Sequence, residues 1–263
     1  MATSAIAIPA SRGLTPGYYA NVFRKEIRYE FVKMLRTKAF SLSVIGFPVM
    51  FYLLFGTSNR HNMFARYLMP SYSCMGVVSA CLFGIGMGIA MERAYGWLEV
   101  KQASPMPRFA YLAAKVITCA AFSLVIVAAL LTLGITLGGV TLTAGEALKL
   151  AGVILAGSIP FTAMGLLVAL LVPPNAGPGV INLIYLPMSF ASGFWMPVEY
   201  LPHWLRVITP ALPTYHLAQL ALHIFGYAQP GGSMLMHWEA LAGFTLLMLG
   251  VAWVIFTRSE AKA

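Results

Sequence analysis

The residues best able to do chemistry gather in one stretch, Met91 to Arg108, where Glu92, Arg93, Glu99, Lys101 and Arg108 interrupt long apolar runs. The patch is too short to be a domain, and its mixture of carboxylates and cations suits docking against a soluble partner. Glu92 and Glu99 lie seven apart, so a helix running unbroken across Met91–Val100 would place both carboxylates on one face. All 8 acidic residues of the chain are glutamates, which excludes any mechanism built on an aspartate nucleophile, metal ligand or triad member. None of the lysines completes a G-x-x-x-x-G-K-[ST] phosphate loop, so the sequence offers no site of that type for ATP hydrolysis. Gly84, Gly86 and Gly88 sit in apolar sequence with no strand before them, the wrong setting for a dinucleotide loop.

The elements that must hold this patch are membrane spans. Of 263 residues, 59% are hydrophobic and 10% charged, against roughly 25% charged in soluble domains. The chain therefore reads as an all-α polytopic membrane protein. Residues 1–15 read as a disordered tail, and residues 16–37 as an amphipathic helix. On that helix Tyr19, Phe23, Ile27, Phe31 and Met34 recur at helical spacing, opposite a basic face of Arg24, Lys25, Arg28, Lys33 and Arg36. Such a helix lies along a lipid surface, its cations toward anionic headgroups.

Residues 38–263 form the transmembrane domain, with six spans expected at about 39–56, 67–90, 109–134, 147–172, 180–196 and 239–256. The polar loop 91–108 joins the second and third. Gly76, Ala80, Gly84 and Gly88, four apart, offer a seam for close helix approach. Thr214 to Phe225 is apolar but too short to cross, so residues 197–233 are expected to be re-entrant half-helices between the fifth and sixth spans. In this topology 13 basic residues fall on one side, and only Arg60, Arg66, Lys149 and Arg206 on the other. The positive-inside rule then makes both termini and the 91–108 loop cytoplasmic. The net charge of +9 belongs to this orientation, not to a nucleic-acid surface.

All 5 histidines fall on the outer side in this topology. His216 and His223 are seven apart, not the four that would share one metal, which points to structural or interfacial roles and no metal site. Ser192 lacks the preceding glycine of a rhomboid-type serine motif and reads as packing or pathway lining. Cys74, Cys81 and Cys119 all lie in apolar runs as free thiols.

Two segments carry a resemblance to a known family. Glu92-Arg93, Gly96, Leu98-Glu99 and Ser104-Pro105 are similar to the loop between the second and third spans of ABC-2 type (type V) exporter permeases. Ser192-Gly193, Pro197, Leu201-Pro202, Trp204-Leu205, Pro210 and Pro213-Thr214-Tyr215 resemble that family's extracytoplasmic re-entrant region. Ala94 and Trp97 depart from the usual acidic residue and threonine. The resemblance implies that Glu92, Arg93, Gly96, Leu98 and Glu99 form a coupling helix against an ABC ATP-binding subunit, present in two copies, which carries ATP and Mg. It also implies a second permease, as a homodimer, in a bacterial cytoplasmic membrane.

With no mid-bilayer charge in the spans, a small-ion pump is disfavoured and an amphipathic, drug-like or lipid-like cargo moved outward by alternating access fits better. Pathway candidates are Ser73, Ser79, Asn182, Ser189 and Ser192, with Phe190 and Phe194 as apolar lining. A polysaccharide or glycolipid exporter, or a non-transporting scaffold or sensor that recruits an ATPase, are the alternatives.

Overall fold

The computed structural model describes residues 16–59, 63–103 and 108–260, and every regular element among them is helical. The expected tail 1–15, His61 and the Ser104-Pro105 pair lie outside the described residues. In chain order the α-helices are α1 (Pro16–Arg36), α2 (Lys38–Phe51), α3 (Met63–Cys81), α4 (Gly88–Ala94), α5 (Trp97–Ala103), α6 (Arg108–Thr136), α7 (Ala144–Leu171), α8 (Gly177–Ala191), α9 (His203–Ile208), α10 (Pro213–Ile224) and α11 (Met234–Glu260). A π-helical turn, Tyr52–Gly56, extends α2, and another, Leu82–Met87, fuses α3 to α4.

Five helical stretches are long and apolar enough to cross a bilayer: Lys38–Gly56, Met63–Ala94, Ala110–Thr136, Ala144–Leu171 and Met234–Ile255. Their apolar runs, with charges confined to the ends, leave the backbone no partner but itself, which favours helix. The expected fifth span, 180–196, departs from this pattern. Its helix is α8, which has 15 residues, about 22 Å of rise against roughly 30 Å of hydrocarbon. It stops at Ala191 because Gly193 turns into the left-handed region at φ 84°. A Cβ there would stand 2.9 Å from Val198.

α3 and α6 pack along matched ladders. Gly76 faces Ile126, Gly84 faces Cys119, and Gly88 lies beneath Lys115. The small residues expected to form a seam thus admit α6, and Met34 and Phe40 also fill the space over Gly84. On another side, Gly165 of α7 meets the π-helical turn. A Cβ on it would stand 2.8 Å from the Cys81 carbonyl oxygen.

At one end of the bundle Thr143 and Glu146 cap α7 reciprocally, and Arg66 of α3 pairs with Glu146 at 2.6 Å. The short helix α10 is buried over most of its length among α3, α7 and α11. Its entry is fixed by side chains that satisfy a broken backbone: Tyr67 Oη donates to the Gly193 carbonyl at 2.6 Å, Thr209 Oγ1 to that of Ala191 at 2.7 Å, and Ser192 bonds Thr214. Non-helical backbone is tolerated at depth only when wrapped in protein this way. By contrast α9 buries none of its residues.

Because the Cys81 carbonyl is backbone and cannot swing aside, Gly165→Ala is expected to lower stability by about 1–3 kcal/mol. Gly152→Ala, in the same helix with nothing within 4 Å of the added carbon, is expected to be neutral or stabilising by up to about 1 kcal/mol. Thermal unfolding of the detergent-purified variants, read by tryptophan fluorescence, measures the difference.

Candidate functional site

At the opposite end of the bundle, six charges converge from four elements. Glu26, Glu30 and Lys33 come from α1, Glu92 from α4, Lys101 from α5 and Lys115 from α6, about two turns inside that helix. Lys115 Nζ lies 3.1 Å from Glu30 Oε2 and 3.1 Å from Glu92 Oε1. Lys101 Nζ lies 2.7 Å from Glu26 and 3.0 Å from Glu30. Lys33 bonds Glu92 and stands 3.5 Å from Glu30. Tyr111 Oη donates to Glu92 Oε2 at 2.5 Å, and its ring lies 4.7 Å from the Lys101 ammonium and 5.1 Å from that of Lys115.

Three carboxylates thus meet three ammonium groups. The side chains of Glu30 and Lys115 are only 2% and 4% exposed, where an unpaired charge would cost several kcal/mol. Burial alone would pull the pKa of Lys101 down. Hydrogen bonds to Glu26 and Glu30 and the charge of Glu92 outweigh it, so the pKa rises and the ammonium is held.

The cluster explains the geometry of the polar stretch. Gly96 adopts φ 71° and breaks the helix between α4 and α5. The expectation that Glu92 and Glu99 share a face is therefore corrected. Glu92 is buried in the cluster, while Glu99 is exposed. Leu98 packs inward and Arg93 reaches the Val172 carbonyl at the end of α7, 3.5 Å away. Tyr95, Trp97, Glu99 and Val100 of α5 and its lead-in are exposed, Tyr95 and Trp97 toward the cleft and Glu99 and Val100 away from it. On α1, Arg24, Lys25, Arg28 and Arg36 are exposed as a basic face, but Lys33 turns into the cluster.

Above the cluster opens a cleft of about 980 Å³ between α1, α2, the second span and α8. Its floor carries Glu30, Lys33, Glu92, Lys101 and Lys115, and its walls carry Phe40, Val44, Phe47, Phe83, Tyr185 and Leu186. Of the expected pathway residues, Ser79 and Asn182 line it. The others lie elsewhere. Ser73 is buried and bonds the Met69 carbonyl, Ser189 accepts from the Trp195 indole at 3.1 Å, Ser192 bonds Thr214, Phe194 is buried and Phe190 points outward. None of these five residues lines the cleft.

His216 pairs with His237, not with His223, its Nδ1 lying 2.8 Å from that of His237, while its Nε2 faces the Pro210 carbonyl at 3.0 Å. That ties α10 to α11. Sequence reasoning missed Glu26, Glu30, Tyr111 and Lys115. Lys115 carried a usable signal, since a lysine inside an apolar span needs a partner. Glu26 and Glu30, acids spaced four apart on an otherwise basic helix, were the matching one.

Residues 22–226 match the family described as ABC-2 type transporter. The chain is also 26% identical over 247 residues to "Putative transport permease YvfS" of Bacillus subtilis (strain 168), covering 92% of this chain and 99% of that protein.

Removing one member of the cluster leaves the others uncompensated. Lys115→Met is expected to cost about 3–5 kcal/mol, and Glu99→Gln, on the exposed face, at most about 0.5 kcal/mol. Folded yield and thermal midpoint of the two variants, measured side by side, check the contrast.

Proposed function

The chain belongs to the ABC-2 type transporter family, and from that premise we propose that it is the permease subunit of an ATP-driven exporter. The observation that carries this reading is the ionic cluster, which clamps α5 onto α1 and α6 while leaving Glu99 and Val100 free to meet another protein. A short helix held this firmly at the end of two spans transmits force. A loop that merely joined them would need no buried charges.

In this reading the cluster end is cytoplasmic, as the excess of basic residues there requires. The α5 face and Arg93 dock on a separate ABC ATP-binding subunit, two copies serving two permease chains, and ATP and Mg reside on those subunits. α8 completes a sixth crossing with the turn that follows it, and α9 and α10 form the re-entrant outer region. The basic face of α1, Arg24, Lys25, Arg28 and Arg36, rests on anionic headgroups of a bacterial cytoplasmic membrane. The cargo is amphipathic, drug-like or lipid-like, because the cleft joins an apolar wall to a polar floor. Two copies of the permease enclose the path and alternate between inward and outward openings.

The purified chain alone is expected to hydrolyse no ATP and to do so only in complex with an ATP-binding subunit. Glu99→Lys is expected to weaken that complex about fivefold to a hundredfold, the effect of losing an interfacial charge pair worth roughly 1–3 kcal/mol. Pull-down affinity and cargo-stimulated hydrolysis report it, with membrane insertion unchanged. An unaltered complex would reduce α5 to a connector. A cysteine placed at Ala263 is expected to resist membrane-impermeant thiol reagents in intact cells, and labelling from outside would overturn the topology.

A further inference from the structure

The cleft above the ionic cluster contains more information than its size. At about 980 Å³ it lies at the upper end of small-molecule sites, which run roughly 300–1,000 Å³. Its walls are aromatic and aliphatic, and its polar character is concentrated at the floor. What a bound molecule would meet there depends on which charges still face outward.

The carboxylates do not. Glu92 accepts from Lys33 and Lys115 through Oε1 and from Tyr111 through Oε2. Glu30 accepts from Lys101 through Oε1 and from Lys115 through Oε2. Both acids are buried, with 8% and 2% of their side chains exposed, whereas Lys33 is 37% exposed. The cluster is neutral as a whole but polarised. Its acids are turned inward and occupied, and the Lys33 ammonium, which spends two of its three donors toward Glu92 and Glu30, keeps one for a group entering from the open side of the floor. Asn182 and Ser79 add neutral hydrogen-bonding groups to the lining.

From this polarity we infer that the cleft is a loading site for an amphipath with an acidic head, a carboxylate or phosphate, whose head bonds Lys33 while its apolar body lies along Phe47, Phe83 and Leu186. A cationic head of the same length would meet an ammonium with no open carboxylate to answer it. The inference rests on the permease reading and adds the charge of the cargo to it.

Trp97 lines the cleft and supplies the reporter. The probe is a twelve-carbon alkyl phosphate brominated on its chain, with the equally brominated alkyl trimethylammonium as its counterpart. Both are titrated into the protein reconstituted in vesicles of zwitterionic lipid, and tryptophan quenching is read. The phosphate is expected to quench, and Trp97→Phe to remove that component. The ammonium probe is expected to bind at least about tenfold more weakly, since a charge-assisted bond is lost. Lys33→Ala is expected to weaken the phosphate by about ten- to a hundredfold. Lys33→Arg is expected to keep it and to leave the ammonium probe unmoved.

Equal quenching by both heads, or indifference of the phosphate to Lys33→Ala, overturns the inference. The head comparison on the unmodified protein stands even if Lys33→Ala fails to fold. A second series adds anionic two-chain phospholipid to the vesicles. Continued binding of the phosphate probe supports a free cargo, and its displacement assigns the cleft to a resident lipid and overturns the loading site. No ATP or partner enters these measurements, so their failure, while the separate pull-down still shows the ATP-binding subunit docking, rejects the acidic-head inference and leaves the permease reading in place.

Discussion

Charges withdrawn from water persist only where each finds its opposite, and among the described residues the largest group that meets this condition is six residues at a single end of the bundle. Lys115 is the centre of it, bridging Glu30 from α1 and Glu92 from α4 at the same distance of 3.1 Å. Because the ammonium lies inside an apolar helix, neither acid can drift without leaving it exposed to low dielectric. α1, the second span and α6 are therefore fixed relative to one another by electrostatics, and Lys101 draws α5 into the same arrangement. Hydrophobic packing alone, such as Phe31 against Phe122 at 5.1 Å between ring centroids, would tolerate sliding. Ion pairs with this geometry do not.

The break at Gly96 divides the polar stretch into a part that faces the protein and a part that faces away from it. Glu92 belongs to the first and Glu99 to the second, although sequence spacing treats them as equals. Under the proposed function this division separates holding from contact: one acid keeps the short helix in place, and the other meets the partner. A continuous helix would have to expose both or bury both.

Much of the fold was legible because it follows from run length. Apolar stretches flanked by charges forecast the long helices, and small residues four apart forecast the face that α6 occupies. The end of α8 was not legible, since Phe194, Trp195 and Met196 continue the hydropathy of a span while a single positive φ at Gly193 stops the helix. Hydropathy does not register backbone handedness. The site was half legible. The polar stretch was found by composition, but its partners Glu26, Glu30 and Lys115 lie far from it in sequence or inside what reads as a span. Pairing of that kind is decided by tertiary packing. Which serines line the cleft was not legible either, because a hydroxyl in a helix can satisfy itself on the preceding turn, as Ser73 does on Met69.

The π-helical turn Leu82–Met87 acquires its meaning from the ladder that contains it. Gly76, Ala80, Gly84, Gly88 and Glu92 are each four apart, and four residues of an α-helix turn through about 400°, so such a series drifts about 40° per step. Over the four steps from Gly76 to Glu92 the drift would reach about 160°, enough to carry the carboxylate to the far side of the helix. A π turn, bonding i to i+5, spends more residues on each revolution and winds the series back. The segment thus works as a phase corrector, bringing a stripe of glycines and a distant acid onto one meridian facing Ile126, Cys119 and Lys115. Shortening it by one residue would restore ordinary helical bonding and rotate Glu92 by about 100°. The locally better helix would then be the one that leaves Lys115 half paired.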